Sequence, residues 1–367
     1  MDLNDFESRL EANFKGKRVF ITGNTGFKGS WLSHWLINLK AEVGGYSNLD
    51  RTKPCLYEDL ELDKRVRQYV GDITDYIPLS SAILDFNPDF VFHLAAQSIV
   101  SESVSNPLET FRTNTLGTIT LLEVLRSTQY QGVAVLITSD KCYENIEKVE
   151  GYLETDQMGG KDPYSASKGA AEIAISAYLR TYQDAFPKLA IGRAGNVIGG
   201  GDWNTNRIIV DCVKAWEKME LVTLRNPNST RPWQHVLEPL SGYLSLAMAL
   251  LDNVSVSKQA FNFGPNSSSN FTVHEIVNLL AKQWPNCPGV KVANLNSQGV
   301  GLEAKLLSLN CEKAKDIINW ESTLTLDETV KLIAEWYLAR INSEDLLQLT
   351  SGQIKFFTSQ YRRGEQN

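Results

Sequence analysis

The sequence offers little from which to build a disulfide framework or a metal site. Its five cysteines (Cys55, Cys142, Cys212, Cys287 and Cys311) are scattered without a C-x-x-C pair, and there are only four histidines. An odd, dispersed set of this kind fits reduced thiols, so no metal is expected. Cys142 has no histidine near it in sequence to activate it as a nucleophile. Positive charge is also short. With 36 Lys and Arg against 43 Asp and Glu, the net charge is -7, which argues against a nucleic-acid partner. No uninterrupted apolar run approaches a membrane span, and the start Met1-Asp2-Leu3-Asn4-Asp5-Phe6 lacks the basic and apolar parts of a signal peptide. A cytoplasmic protein without a membrane partner is expected.

What is present is the balance of an ordinary globular protein, 43% hydrophobic and 22% charged, long enough for one full domain and a smaller lobe. The β-branched and aromatic run at 17–22 breaks at a turn, Gly23-Asn24-Thr25-Gly26-Phe27-Lys28-Gly29. Trp31, Leu32, Trp35, Leu36 and Leu39 follow at helical spacing. A strand, spaced glycines and a helix bring a diphosphate against bare backbone at a helix N-terminus; the plain alternative is a simple connecting turn. Further strands are expected over 41–46, 68–73, 89–97, 133–137, 189–193 and 260–264. One long helix is expected over 107–126, and another starts near Tyr164. This alternation predicts an α/β fold, a Rossmann-type doubly wound parallel sheet with a smaller α/β C-terminal substrate lobe. We divide it as 1–196 plus about 236–266 for the dinucleotide, and about 197–235 plus 267–367 for the substrate.

Several residues in this frame suit a dinucleotide. Ser47 and Asn48 follow the second strand, and Asp50 comes slightly late for the ribose 2′-hydroxyl. NAD is therefore favoured over NADP, although Arg51 argues the other way. Asp72 and Ile73 end the third strand where it reaches the adenine, unless Asp72 is only a helix N-cap. After the fourth strand, Leu94, Ala95 and Ala96 let a flat cofactor lie close to backbone. His93 reads as a packed core residue, and Asn114, inside a helix, needs a backbone or water partner.

The reactive chemistry gathers between Ile137 and Lys168. Ser139, Asp140 and Lys141 stand at the C-terminal end of the apolar run at 133–137, where open α/β sheets place ligands. Tyr164 and Lys168 are four apart on a helix and face one way. That helix is apolar around most of its circumference, so one side is expected to meet another subunit, in a dimer or a dimer of dimers. Beyond it comes a glycine-rich loop, Gly195 to Trp203, then Arg207 and the stretch T-R-P-W-Q-H with Arg231. Arginines and tryptophans on loops suit a phosphate-bearing ligand with a flat base, and surface packing is the bland alternative.

G-x-x-G-x-x-G at 23–29 with Y-x-x-x-K at 164–168 resembles the extended short-chain dehydrogenase/reductases, the NAD-dependent epimerases and dehydratases. N-T-G-F-K-G-S-W-L, T-S-D-K-C-Y-E-N, M-G-G-K-D-P-Y-S-A-S-K-G, R-A-G-N-V-I-G-G-G-D-W and R-P-W-Q-H-V-L-E-P-L-S-G-Y are similar to the CDP-glucose 4,6-dehydratases within that class, from about residue 16 to about 340. The resemblance implies NAD, a nucleotide-sugar substrate with a CDP-hexose favoured, and a role in deoxysugar biosynthesis for lipopolysaccharide O-antigen. It implies that Tyr164 takes the sugar 4-hydroxyl proton while Lys168 bonds the nicotinamide ribose and Ser139 the same sugar oxygen. It implies Lys141 as the C5 base, where many relatives have glutamate, and Asp140 as the acid at the 6-hydroxyl. Arg207 and Arg231 would hold the diphosphate with Asn196 donating nearby, while Gln97 and Trp203 would line the substrate. Asn24 stands where relatives carry histidine, and Gln97-Ser98-Ile99-Val100-Ser101 where they tend to read Q-P-L-V-R. The first departure bears on cofactor affinity, the second on the hexose. A 4-epimerase or reductase needs the Tyr-Lys pair without Asp140 and Lys141, and a non-catalytic sensor needs neither.

Overall fold

The computed structural model describes residues 6–49, 53–186, 188–224, 226–252, 254–265, 270–292 and 306–364. Asp50 and Arg51, on which the choice between NAD and NADP turned, lie outside them. The apolar runs become β1 (Arg18–Thr22), β2 (Glu42–Ser47), β3 (Arg67–Val70), β4 (Phe90–His93), β5 (Val133–Ile137), β6 (Leu189–Ala194) and β7 (Ala260–Phe263). They form one seven-stranded sheet in the order β7-β6-β5-β4-β1-β2-β3. Every pairing in it is parallel. The strand order reverses between β1 and β4, which opens a crevice at their C-terminal ends.

A parallel sheet is covered on both faces, and the sequence shows it. All of β5, Val-Ala-Val-Leu-Ile, is buried. Period-two alternation sends Val19 and Ile21 into one core and Phe20 into the other. In β2, Gly44 leaves room for the Phe86 ring, which a Cβ would approach to 2.9 Å.

Short strands outside the sheet pair as Val197–Ile198 with Gln234–His235, Val222–Leu224 with Val290–Val292, and Thr230–Pro232 with Asn270–Thr272. On the helix Leu237–Asp252, the buried Glu238 fastens the segment at 323–324, accepting the backbone N–H of Thr323 at 2.9 Å and of Leu324 at 2.6 Å. Burial pushes the Glu238 carboxyl up to about 8, against the pull of those two donors.

Two expectations are corrected. The single helix over 107–126 is Pro107–Phe111, a π-helical turn Arg112–Leu116, and Gly117–Ser127. The turn aims Asn114 inward, where its side chain bonds the Gln97 N–H at 2.8 Å, the Gln97 carbonyl at 3.0 Å and the Ser167 hydroxyl at 2.9 Å. An inserted residue in the helical ladder is the means by which this buried amide finds partners. Part of the glycine-rich loop likewise serves packing. A Cβ at Gly200 would lie 2.1 Å from the Trp336 ring, and one at Gly201, with φ of +78°, 2.5 Å from Leu56. Trp31 Nε1 donates to the Gly200 carbonyl, and the Tyr337 hydroxyl to the Asp202 carbonyl. The helix Phe6–Phe14 had no sequence expectation; it docks on the C-terminal helix through Phe6 stacked on Tyr361 at 4.0 Å.

Candidate active site

The glycine turn after β1 fits a dinucleotide diphosphate. Gly23 has φ of +73°, and a Cβ there would sit 2.7 Å from the Ala95 backbone. A Cβ at Gly29 would meet the Gly23 carbonyl at 2.2 Å. The helix Phe27–Asn38 starts at Gly26 with no side chain capping its first turn, so its positive end faces the crevice. Ala95 and Ala96 after β4 are half-buried at the same rim, as are Leu94 and Gln97. Asn24 differs from expectation. Its amide is buried under the turn and donates to Gln68 at 2.8 Å, leaving Asn24 Oδ1 without a partner. Any contact of Asn24 with the cofactor is therefore through backbone. Asp72 is not the N-cap: that position belongs to Asp75, and the Asp72 carboxylate accepts the Thr74 N–H at 2.8 Å and hydroxyl at 2.6 Å. Ile73 is buried behind Gly117.

The proton-transfer groups meet between β5 and the helix Pro163–Thr181. Ser139 caps the short 3-10 turn Asp140–Cys142 and donates to Asp140 Oδ1 at 2.9 Å. Asn196, held at φ of +52° after β6, donates to Asp140 Oδ2 at 3.2 Å. The sequence had placed it beside the diphosphate. Gly195 allows the approach, since a Cβ there would fall 2.0 Å from the carboxyl carbon. Asp140 is thus held by Ser139 and Asn196, not by an ion pair with Lys141. The helix begins where Asp162 accepts the Ser165 N–H and hydroxyl and Pro163 opens the first turn. Tyr164 and Lys168 are both buried on its inner side. Burial pushes the Tyr164 phenol up to about 12, the Ser139 hydroxyl and Arg207 pulling it down and Asp140 pushing it up. Burial lowers Lys168 to about 8, against Glu172.

Some expected residues are placed elsewhere. Gln97 spends its side-chain amide on the Ile99 carbonyl and the Thr110 hydroxyl, both at 3.0 Å, bracing the chain instead of offering itself to a ligand. Trp203 is buried, with the Arg340 guanidinium over one face at 4.7 Å and Tyr337 edge-on at 5.2 Å, so it is no platform for a base. Arg207 pairs with Asp202 at 3.3 Å, and its charge reaches Tyr164 and Lys28. Arg231 sits on the strand Thr230–Pro232, opposite Phe271. His93 is a core residue, bonded to the Thr22 and Thr118 hydroxyls. The Cys142 thiol is buried and held well above its usual range by that burial, which leaves it inert.

Lys28 was expected among the cofactor-binding residues of the glycine turn, whereas the pair Glu172 and Arg193 was not foreseen. The Lys28 ammonium leaves the glycine turn and reaches the Tyr243 hydroxyl at 3.3 Å, where burial and then the charges of Arg207 and Lys168 lower it to about 7. Glu172 and Arg193 form a buried ion pair below Lys168 at 2.8 Å. Charged residues inside the apolar stretches A-A-E-I-A and A-I-G-R-A were the available signal.

The family model described as GDP-mannose 4,6 dehydratase matches residues 20–333. The chain belongs to that family. It is 42% identical to the CDP-glucose 4,6-dehydratase of Salmonella typhimurium, over 95% of this chain and 99% of that protein. Among solved structures, UDP-glucose 4-epimerase of Thermus thermophilus in complex with NAD is 25% identical, with a TM-score of 0.72, 88% of this chain and 99% of that one covered. The dTDP-glucose 4,6-dehydratase of Bacillus anthracis in complex with NAD, at 20% identity, TM-score 0.72 and coverage of 90% and 99%, shares the fold.

The phenol position predicts how the free protein titrates. With Tyr164 near 12, an ultraviolet titration of wild type against Tyr164→Phe without cofactor should show no difference in tyrosinate below about pH 10. A difference appearing near neutral pH would contradict the assigned surroundings.

Proposed function

We propose that the protein is an NAD-dependent nucleotide-sugar 4,6-dehydratase, converting CDP-glucose to CDP-4-keto-6-deoxyglucose. The observation that carries this is the meeting of Asp140, hydrogen-bonded to Ser139 and Asn196, with Tyr164 and Lys168 in one buried cluster at the C-terminal end of β5. The similarity to the CDP-glucose 4,6-dehydratase of Salmonella typhimurium, 42% over 95% of this chain, supports the substrate. Residues 1–196 with about 236–266 would carry the dinucleotide, and about 197–235 with 267–367 the nucleotide sugar.

When bound, the dinucleotide supplies a hydride acceptor and donor, so the overall reaction is redox-neutral. The glycine turn and the Phe27–Asn38 helix hold its diphosphate, and Lys168 its ribose. The Tyr164 oxygen takes the proton of the sugar 4-hydroxyl, while the Ser139 hydroxyl bonds that same sugar oxygen. Bringing a phenol from about 12 to near 7 needs about 7 kcal/mol of phenolate stabilisation. Lys168 supplies one of the charges, and a bound oxidised dinucleotide would supply the other. A carbonyl at C4 makes the C5 proton acidic, and the Lys141 amine removes it. Asp140 hands a proton to the departing 6-hydroxyl, which leaves as water, and the 5,6-double bond left behind would take a hydride at C6 and a proton at C5 to give the 4-keto-6-deoxy sugar. Arg207 and Arg231 bind the diphosphate of the substrate.

A 4-epimerase has no use for an acid and a base at C5 and C6. Incubation with CDP-glucose and NAD in heavy water should therefore give a 4-keto-6-deoxy product carrying deuterium at C5. A panel of CDP-, UDP-, dTDP- and GDP-hexoses should favour the first, and Tyr164→Phe should lower kcat by about a thousandfold. A 4-epimer, or no product, would overturn the assignment.

We also propose that two copies pair across the exposed side of the helices Pro107–Phe111 and Pro163–Thr181. Leu108 is 82% and Ile173 62% exposed there, with Phe111 and Leu116 beside them. Leu108→Glu with Ile173→Glu should yield a monomer by light scattering, whereas an unchanged mass would reject this face.

A further inference from the structure

The buried pair Glu172–Arg193 does no chemistry in the account above, yet it touches both halves of the reactive cluster. Arg193, in β6, is bidentate to Glu172: Nε to Oε1 at 2.8 Å and Nη2 to Oε2 at 2.9 Å. Its Nη1 donates to the Tyr143 hydroxyl at 2.7 Å and the Glu154 carbonyl at 3.0 Å, and the guanidinium lies 5.0 Å from the Tyr143 ring. The Thr138 hydroxyl donates to Glu172 Oε1. Tyr143 passes the network on to Asn262 in β7 at 2.7 Å, and Asn262 bonds the carbonyls of Tyr152 and Asn310.

The sequence positions give this network its meaning. Thr138 immediately precedes Ser139, and Tyr143 follows the Asp140–Cys142 turn, so the network grips the strand-end residues from both sides. Glu172 is one turn beyond Lys168 on the helix that also carries Tyr164. We propose that Glu172 and Arg193, with Thr138, are positioning residues: they fix the Ser139–Lys141 turn against the Tyr164–Lys168 helix, and Glu172 supplies the negative charge that keeps Lys168 an ammonium. This rests on the dehydratase reading of the same site.

The groups facing Lys168 support the electrostatic half. They are Glu172 on its own helix, Cys142 from the turn after β5, His93 on β4 and Lys28 from the start of the Phe27–Asn38 helix. Burial keeps Cys142 a neutral thiol and lowers His93 to about 3, so it is neutral too. Lys28 only adds positive charge. Glu172 is the partner that opposes the loss of the Lys168 proton. Lys168 already sits down at about 8, so removing that opposition takes the ammonium away within the working pH range.

Two variants separate geometry from charge. Thr138→Val removes the hydroxyl but leaves both charges; kcat should fall about ten- to a hundredfold at unchanged KM and unchanged pH limb, with Thr138→Ser restoring it. Glu172→Gln should move the basic limb of kcat to lower pH by about one unit. NAD binding, followed by quenching of tryptophan fluorescence, should lose affinity at that same lower pH, which reads Lys168 without turnover. Wild-type kcat in Thr138→Val, or an unshifted limb and binding profile in Glu172→Gln, with only the melting temperature lowered, would overturn the positioning role. Should Glu172→Gln fail to fold, the Thr138 pair still decides. Wild-type protein that forms no 4-keto product contradicts the dehydratase reading instead, and the binding profile still tests the charge.

Discussion

The constraint on which the rest depends is the burial of ionisable groups at one sheet end. Tyr164, Lys168 and Asp140 are all nearly inaccessible to solvent. Taking charges out of water is unfavourable unless each has a partner. The fold meets this by fixing neighbours: Ser139 and Asn196 on Asp140, Glu172 opposite Lys168, and Arg193 on Glu172. Ser139 comes from the end of β5, Arg193 and Asn196 from β6 and the residues after it, and Glu172 from the helix that carries Lys168, so the groups are gathered only when β5, β6 and the Pro163–Thr181 helix are all in place. Chemistry and folding therefore share the same contacts.

That arrangement explains why the phenol of Tyr164 is so poorly placed as a base in isolation. Burial raises it, and Asp140 raises it further. A base that becomes competent only when cationic groups complete the pocket is inactive without its cofactor and substrate. The glycine turn delivers the second ammonium, Lys28, to the same cleft beside Tyr243. The glycine turn and the cluster around Tyr164 are thus one electrostatic unit, since burial and then the charges of Arg207 and Lys168 lower Lys28.

Much of the sheet was legible because parallel strands buried on both faces are unbroken apolar runs. The run at 133–137 is β5 to the residue. The glycines at 23 and 29 were readable because the close approaches they permit admit no Cβ. Loops were less legible from composition. In the stretch Gly195 to Trp203, Gly200 and Gly201 make room for Trp336 and Leu56 and Trp203 is core, while Gly195 makes room for Asp140 in the candidate site. Composition cannot tell a glycine that faces a ligand from one that faces a tryptophan far along the chain. Asn114 was flagged as needing a partner, but the π-turn that provides it arises from a tertiary contact with Gln97 and Ser167. Glu172 and Arg193 lie 21 residues apart, and only the packing of helix on strand brings them together.

The central claim is that one hexose is oxidised at C4 and reduced at C6 without leaving the cluster around Tyr164. The most direct measurement uses CDP-glucose deuterated at C4, with the product analysed for the position of the label. Transfer of the deuterium to C6 of the 4-keto-6-deoxy sugar is the predicted result. Deuterium retained at C4, or lost to solvent, would contradict the account.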